Sequence, residues 1–406
     1  MAGHKLAGPE RLSPGHDPIP AFDVRLDEAD VEAVAQTLRS GWLTMGPRIE
    51  AFEAEFARHL GVQHAVATSS ATAALHLAYL AAGVGPGDEV IVPGITFVAT
   101  AAAARYCGAR PVLAEVMGQH DLSIDPEDAA ARIGPRTKAL CAVHYAGYAA
   151  PIAALREICE AHGVALIEDA AHSPSATVPG EERKLGTLGL AGAFSFFSNK
   201  IISCGEGGLL ATADDEVAAF ARSRRSHAMT TGTWDRHRGN ALGYDVVDTG
   251  FNYRMDEPRA ALLSARLPRL EADIAERRRL THRYRALLGE VPGVSLPYSN
   301  EQVDASSCYV MAATLDDPEL RDPLRRVLSE RFGVQTTMLY PSIAQFSAYS
   351  GNGQEPLPRC ERVARSQLTL PLYPHLGEER LERVVHAVGA GLEELGRGAA
   401  SGSSAA

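Results

Sequence analysis

Lysine is almost missing from this chain. Of 39 basic residues only four are lysine, Lys5, Lys138, Lys184 and Lys200, and the rest are arginine. Chemistry that needs a primary amine, such as a reversible imine with an aldehyde, therefore has four candidates, because a guanidinium stays protonated and cannot replace it. Cysteine is sparse as well. Cys107, Cys141, Cys159, Cys204, Cys308 and Cys360 are dispersed with no C-x-x-C pair, which excludes a zinc ribbon or a disulfide-dense scaffold and points to a reducing cytoplasm. Long apolar runs are absent. The most apolar stretches, near 71–82 and 95–104, are interrupted by Thr, His or Gly and are too short to cross a bilayer, so no membrane partner is expected. The N-terminus lacks the apolar core of a secretory signal. Positive charge is in deficit, with 50 acidic residues and a net charge of -11, which argues against a nucleic-acid partner.

What is present is a chain of 406 residues with 46% hydrophobic content, long enough to bury a large core. Residues 1–20, rich in Gly, Pro and His, read as a flexible arm, and 396–406 (GRGAASGSSAA) as a disordered tail. Between them short apolar runs alternate with helical patterns. Strands are expected at 64–67, 89–92, 111–114, 139–143, 164–168, 192–197 and 208–212. Helices are expected at 28–39, 47–59, 71–82, 97–106, 126–132, 151–162 and 214–224. The βαβα order implies an α/β fold with a mainly parallel central sheet and helices on both faces. After about residue 255 the texture changes. Residues 257–288 form one long helical pattern, with Arg277, Arg278 and Arg279 read as a solvated face. The remainder reads as a smaller C-terminal α+β domain. The expected division is a large domain at 21–255 and a small one at 256–395.

Four segments could carry chemistry. In VALIEDAAH (164–172) an apolar strand runs into Glu168 and Asp169, where strand ends of an open sheet face a ligand crevice. An acid there either caps the next turn or binds a protonated ring nitrogen. A metal is not expected, since one His with no suitably spaced second acid makes a poor ligand set. In GAFSFFSNKIISCGEGG (192–208) a strand ends at Ser195, Lys200 follows, and glycines 205, 207 and 208 come next. A loop lysine is usually solvated, but an apolar strand-end pocket would make its neutral amine accessible. Lys5 lies in the arm, Lys138 precedes a strand and Lys184 sits in a polar turn, so Lys200 is the amine candidate. In VATSSATAALHL (66–77) a strand leads through Ser70 and Thr72 into a helix, which is either a plain N-cap or a phosphate cradle. In PGITF (93–97) Phe97 is either core or a platform for a flat ring. A phosphate at Thr72, a ring on Phe97, a ring nitrogen at Asp169 and an aldehyde at Lys200 together describe pyridoxal 5′-phosphate (PLP), an electron sink when its nitrogen stays protonated.

The sequence resembles the DegT/StrS-like family of PLP-dependent nucleotide-sugar aminotransferases from about Leu38 to Leu376. The resemblance rests on GWLTMGPRIEAFE (41–53), SSATAALHLA (69–78), GDEVIVPGITFVAT (87–100), VHYAG (143–147), IEDAAHS (167–173), FSFFSNK (194–200), GEGG (205–208), GFNYRMDE (250–257) and LTLPLYP (368–374). It implies a fold type I aminotransferase and a homodimer with active sites shared at the subunit interface. Position by position, Lys200 matches the Schiff-base lysine and general acid/base, and Asp169 the partner of the pyridine nitrogen. His172 matches the place beside the cofactor's phenolic oxygen, where many relatives have Gln. Thr72, the Ala73 amide and Ser195 match phosphate contacts, Phe97 the stacking aromatic, and Asn252 a phosphate contact from the other subunit.

One segment departs from the resemblance. Where relatives read like H-Y-x-P/x-x-H and hold the sugar or its nucleotide, residues 339–344 read LYPSIA, without either His. Tyr340 remains a candidate substrate contact. The His-, Arg- and Trp-rich segment 226–245 is either an interface loop or a substrate loop, with Trp234, Arg236, His237 and Arg238 able to stack on a ring or bind an anion. The expected activity is transfer of an amino group from glutamate or glutamine to a keto sugar, nucleotide-linked, in amino-sugar or antibiotic biosynthesis. Three other readings stay open: a member acting on a cyclitol ketone or forming an aminobenzoate, a sugar dehydratase, which resembles this group with His in place of the Lys, and a non-catalytic sensor with the same fold.

Overall fold

The computed structural model describes residues 17–232, 234, 237–239, 243–351 and 355–402, with the backbone alone from 397 onward. Among the described residues seven strands, β1 (His64–Thr68), β2 (Glu89–Pro93), β3 (Arg110–Ala114), β4 (Thr137–Val143), β5 (Ala165–Asp169), β6 (Ala191–Ser195) and β7 (Gly208–Thr212), form one sheet in the order β1-β7-β6-β5-β4-β2-β3. β7 runs antiparallel to both neighbours, and the other pairings are parallel. The expected strands and the expected α/β class are therefore present. The strands are short and almost wholly buried because both faces are covered, which is why they read as apolar runs with little alternation.

The two faces still sort by the period of two. Ile91, Leu140 and Leu166 pack into a cluster under the helix Ile152–His162, whereas Val90, Val92, Cys141 and Ile167 join the main core. In β5 this alternation sends Glu168 and Asp169 in opposite directions. Glu168, fully buried, receives the amides of Gly186 (2.8 Å), Leu188 (2.6 Å) and Gly189 (2.7 Å) and the Nε2 of His144 (2.9 Å). The hydrogen bonds hold its carboxyl below the usual range although burial pushes the other way. Glu168 is a structural tie that fixes the turn before β6.

Three further strands, β8 (Val294–Ser295), β9 (Met311–Leu315) and β10 (Gln367–Leu370), form a separate antiparallel sheet in the order β10-β9-β8. The long helical pattern at 257–288 is two helices, Glu257–Arg266 and Leu270–Leu288, joined by a tighter turn at Leu267–Arg269, where Pro268 lacks the amide a continuous helix needs. The three arginines expected to be solvated divide. Arg277 is buried, and its Nη1 donates to the carbonyls of Tyr309 (3.2 Å) and Leu372 (2.9 Å). Arg278 caps the Ser306 carbonyl at 2.6 Å, and Arg279 pairs with Glu276 and Glu378 at the surface. Unpartnered carbonyls at the ends of loops claimed two side chains that composition alone assigned to water. The last helix, Glu378–Gly402, continues across 396–402, where composition suggested a disordered tail, because extending a nucleated helix costs less than starting one. Residues 1–16 of the expected arm and 403–406 of the tail lie outside the described residues. No described helix is long and apolar enough to cross a membrane.

Truncating Glu168 strands three amides, that of Gly186 fully buried and those of Leu188 and Gly189 partly so, together with His144. Glu168→Ala should lower unfolding stability by about 3–5 kcal/mol, measured by urea denaturation. Glu181→Ala, which breaks an exposed pair with Arg183, should leave the urea midpoint essentially where it is.

Candidate active site

The carboxyl ends of β1, β4, β5 and β6 meet the start of β7 along one rim of the sheet. Thr68 pairs with Gly208, Gly208 with Ser195, and Asp169 with both Val143 and Ala193. Above this rim lies a cavity of about 410 Å³, a size typical of a small-molecule site. Thr72, Phe97, Asp169, His172, Ser195, Lys200 and Tyr340 all line it.

The rim is closed at one end by glycine. A Cβ on Gly208 would lie 2.2–2.4 Å from Ser70 and Ala71 backbone atoms, so only glycine lets β7 approach the start of the helix Ala71–Ala81. That helix presents its N-terminus to the cavity, where amides and the helix dipole favour an anion. Ser70 is the N-cap and its Oγ accepts the Ala73 amide at 3.2 Å. The Ala73 amide therefore faces the cap oxygen, while Ser70 and Thr72 line the cavity wall. Ser195 stands opposite, its Oγ accepting the Phe197 amide at 3.3 Å. Phe97 ends the loop before the helix Val98–Tyr106 and is 54% exposed, an aromatic face left open at the cavity.

Asp169 points into the cavity, on the face opposite to Glu168. Its Oδ2 accepts from the Thr100 hydroxyl at 2.8 Å and its Oδ1 from the Ala171 amide at 3.1 Å; Thr100 in turn touches Thr96 at 3.0 Å. Burial raises its carboxyl above the usual value, opposed by these hydrogen bonds and by Lys200. The Lys200 ammonium lies 4.4 Å from the centre of the Tyr309 ring, a cation–π contact in place of a salt bridge. Burial pushes its pKa down to about 7, with the charge of Asp169 opposing the fall. Of the other lysines, Lys184 is held by Glu271 at 3.0 Å, Lys138 is exposed near the start of β4, and Lys5 is outside the described residues.

His172 is buried between tyrosines. It stacks on Tyr309 with centroids 4.5 Å apart, and its Nε2 meets the Tyr340 hydroxyl at 2.8 Å. The segment 339–344 reaches the cavity because Ile343 donates to the Gly94 carbonyl at 2.9 Å, just past the end of β2 in the loop that leads to Phe97. Asn252 is exposed and does not line this chain's cavity. Trp234 and His237 also stand apart from it. Their rings each lie 4.6 Å from Trp42, and Arg238 sits over Trp234 at 5.5 Å. Arg236 lies outside the described residues.

Residues 24–389 match the model of the DegT/DnrJ/EryC1/StrS aminotransferase family. The chain belongs to that family. Members of the DegT/DnrJ/EryC1/StrS family are PLP-dependent aminotransferases, and so is this protein. It is 38% identical over 372 residues to the dTDP-3-amino-3,4,6-trideoxy-alpha-D-glucose transaminase of Streptomyces venezuelae, covering 91% of this chain and 93% of that protein. It is 33% identical over 370 residues to the spore coat polysaccharide biosynthesis protein SpsC of Bacillus subtilis, covering 89% and 94%. The crystal structure of the aminotransferase TlmJ from Streptoalloteichus hindustanus superposes with a TM-score of 0.86 at 37% identity, covering 93% of this chain and all of that one. The fold is accordingly that of fold type I aminotransferases.

Several residues of this DegT/DnrJ/EryC1/StrS site escaped the sequence reading. Thr100 is one turn after Thr96, a helical spacing that could have suggested a shared partner. Tyr309 lies in the C-terminal region, far from any glycine or strand-end signal, and only the fold brings it to Lys200. Tyr145 and Gln367 support Tyr340 from behind through the Gln367 side chain.

The depressed pKa has a direct readout. In cofactor-free protein, acylation of Lys200 by an amine-reactive reagent, followed by peptide mass spectrometry, should rise through a midpoint at about 7. Asp169→Asn removes the charge that favours the ammonium and should move that midpoint lower. A Lys200 midpoint at roughly 10, the ordinary lysine value, would contradict the desolvated geometry.

Proposed function

We propose that this aminotransferase moves an amino group from glutamate or glutamine to a keto sugar, carried on a nucleotide, in amino-sugar or antibiotic biosynthesis. The supporting observation is the convergence on one cavity of a desolvated amine, a buried carboxylate, a helix N-terminus and an open aromatic face. The kinship to a dTDP-amino-sugar transaminase supports the acceptor class. We further read the protein as a cytoplasmic homodimer, with Asn252 reaching into the partner's site, and residues 21–255 and 256–395 as its two domains.

The residues fit PLP. Asp169 keeps lone pairs free after accepting from Thr100 and Ala171, and a cationic ring nitrogen beside it would favour its charged form against the burial that opposes it. Ser70, Thr72 and Ser195 surround the helix N-terminus that Gly208 leaves open, which suits a phosphate. Phe97 offers a stacking surface. When bound, PLP supplies the electron sink that makes a carbon–hydrogen bond beside nitrogen acidic.

The chain's own residues do the rest. Lys200 Nζ, with a pKa of about 7, is neutral in a large fraction of molecules at physiological pH and can both accept and return a proton. It would take the proton from the α-carbon of the amino donor onto Nζ and hold it there as the ammonium until it is given back. The Tyr309 ring holds the ammonium form without the cost of a second buried anion. Asp169 orients and stays charged, while Thr100 and Ala171 keep its carboxylate in place.

A cyclitol-ketone acceptor is the second reading, since residues 339–344 lack the two histidines that the resemblance associates with sugar or nucleotide. The PLP-loaded protein should absorb visible light and lose that band on addition of glutamate or glutamine. Lys200→Arg should abolish the donor response by on the order of 10³-fold or more. The amino-loaded enzyme, offered a dTDP-linked keto sugar and a cyclitol ketone in parallel, should aminate the former. Turnover of the cyclitol alone would select the second reading, and no donor response at all would sink the aminotransferase mechanism.

A further inference from the structure

Phe22 stands between two cavities. It lines the catalytic cavity together with Lys200, Tyr309 and Leu339, and it also lines a second cleft of about 600 Å³ with Ala21, Arg325, Arg326 and Thr336. Phe22 and Thr337 are the two residues common to both walls. The second cleft is polar and open, for Asp322, Arg326, Glu330 and Gln335 around it are exposed. Water therefore reaches the outer side of this wall. The inner side faces an amine whose reactivity depends on a dry surrounding.

The wall has two parts. Thr337 is fixed through its backbone, whose amide donates to the Thr369 carbonyl at 3.1 Å and whose carbonyl accepts the Thr369 amide at 2.7 Å. Phe22 supplies the bulk, from a segment tied down on both sides of it. Ile19, fully buried, donates to the Gly333 carbonyl at 2.9 Å and accepts the Gln335 amide at 2.9 Å. Asp23 Oδ2 meets His375 Nε2 at 2.8 Å. The Phe22 ring lies against Tyr309, with centroids 5.8 Å apart and planes at 28°. Tyr309 has other means of holding its place. Its hydroxyl donates to Asn199 Oδ1 at 3.0 Å, its amide donates to the Ala146 carbonyl at 3.0 Å, and its ring stacks on His172 at 4.5 Å. That leaves Phe22 the part of a plug.

We propose that Phe22 is a positioning residue that seals the catalytic cavity from the outer cleft and keeps water off the Lys200 amine. Its purpose rests on the aminotransferase reading above, whereas the seal is a property of the cofactor-free chain. The titratable groups that share the inner cavity with Lys200 are Asp169 from β5, His172 from the turn after it, Glu206, Tyr309 and Tyr340. Asp322, Arg325, Arg326 and Glu330 stand around the outer cleft. Two acids and two bases balance there, so a breach admits water and no net charge. Water solvates an ammonium better than an apolar wall does, so a breached cavity should let Lys200 keep its proton to higher pH.

The test follows acylation of Lys200 against pH in the cofactor-free full chain, by peptide mass spectrometry. The unaltered protein should show the midpoint at about 7. Phe22→Ala should raise it by about one pH unit or more, and Phe22→Leu, which keeps an apolar plug, should stay within roughly 0.3 of the unaltered value. Arg326→Ala, which changes only the outer side, should leave the midpoint in place. In the PLP-loaded protein the acid limb of the pH profile for the glutamate half-reaction should rise with the Phe22→Ala midpoint. If Phe22→Ala, folded by circular dichroism, keeps the midpoint of the unaltered protein or falls below it, the proposal is overturned. It is overturned as well if Phe22→Leu rises as far as Phe22→Ala. Should Phe22→Ala fail to fold, Phe22→Val replaces it under the same criteria. The expected midpoints without any donor response in the unaltered, PLP-loaded protein would uphold the seal and overturn the aminotransferase reading, which separates the two.

Discussion

The alternation of a β-strand decides this site. Two adjacent carboxylates end β5, and the period of two sends them to opposite sides of the sheet. Glu168 is consumed by three amides and an imidazole, which fixes the turn into β6 and therefore the path toward Ser195 and Lys200. Asp169, with a hydroxyl and one amide as partners, keeps capacity for a ligand. A shift of one residue in the register of β5 would exchange these roles and leave both buried acids with the wrong neighbours.

Desolvation is the second constraint, and it acts on the residue the composition made conspicuous. An ammonium buried beside one carboxylate would normally pair with it and stay charged. Here Lys200 lies over the Tyr309 ring, a weaker partner, and burial wins over the pull of Asp169. The amine can then exchange protons near neutral pH. The carboxylate remains available for a different cation, and the two groups divide the work that a simple ion pair would have cancelled.

Much of this could be read from the chain. Strand-end signals at Asp169, Ser195 and Phe97, together with the four-lysine count, led to the cavity that the fold builds, and the seven strands and their intervening helices lie where the apolar runs and helical spacings put them. The parts that were not legible depend on contacts across long sequence separations. Nothing local marks Tyr309 as the partner of Lys200, or Arg277 as a buried cap on carbonyls 32 and 95 residues away. Nor could spacing distinguish Glu168 from Asp169 in role, because the direction of each side chain follows from where the strand begins.

The central claim is that Lys200, among four lysines, is the amine that the cavity prepares for an aldehyde. Reduction of the PLP-loaded protein with borohydride, followed by digestion and peptide mass mapping, tests it most directly. The account predicts the phosphopyridoxyl mass on Lys200, with none on Lys138 or Lys184. Attachment to either of those, or loss of specific attachment only when one of them is replaced, would contradict it.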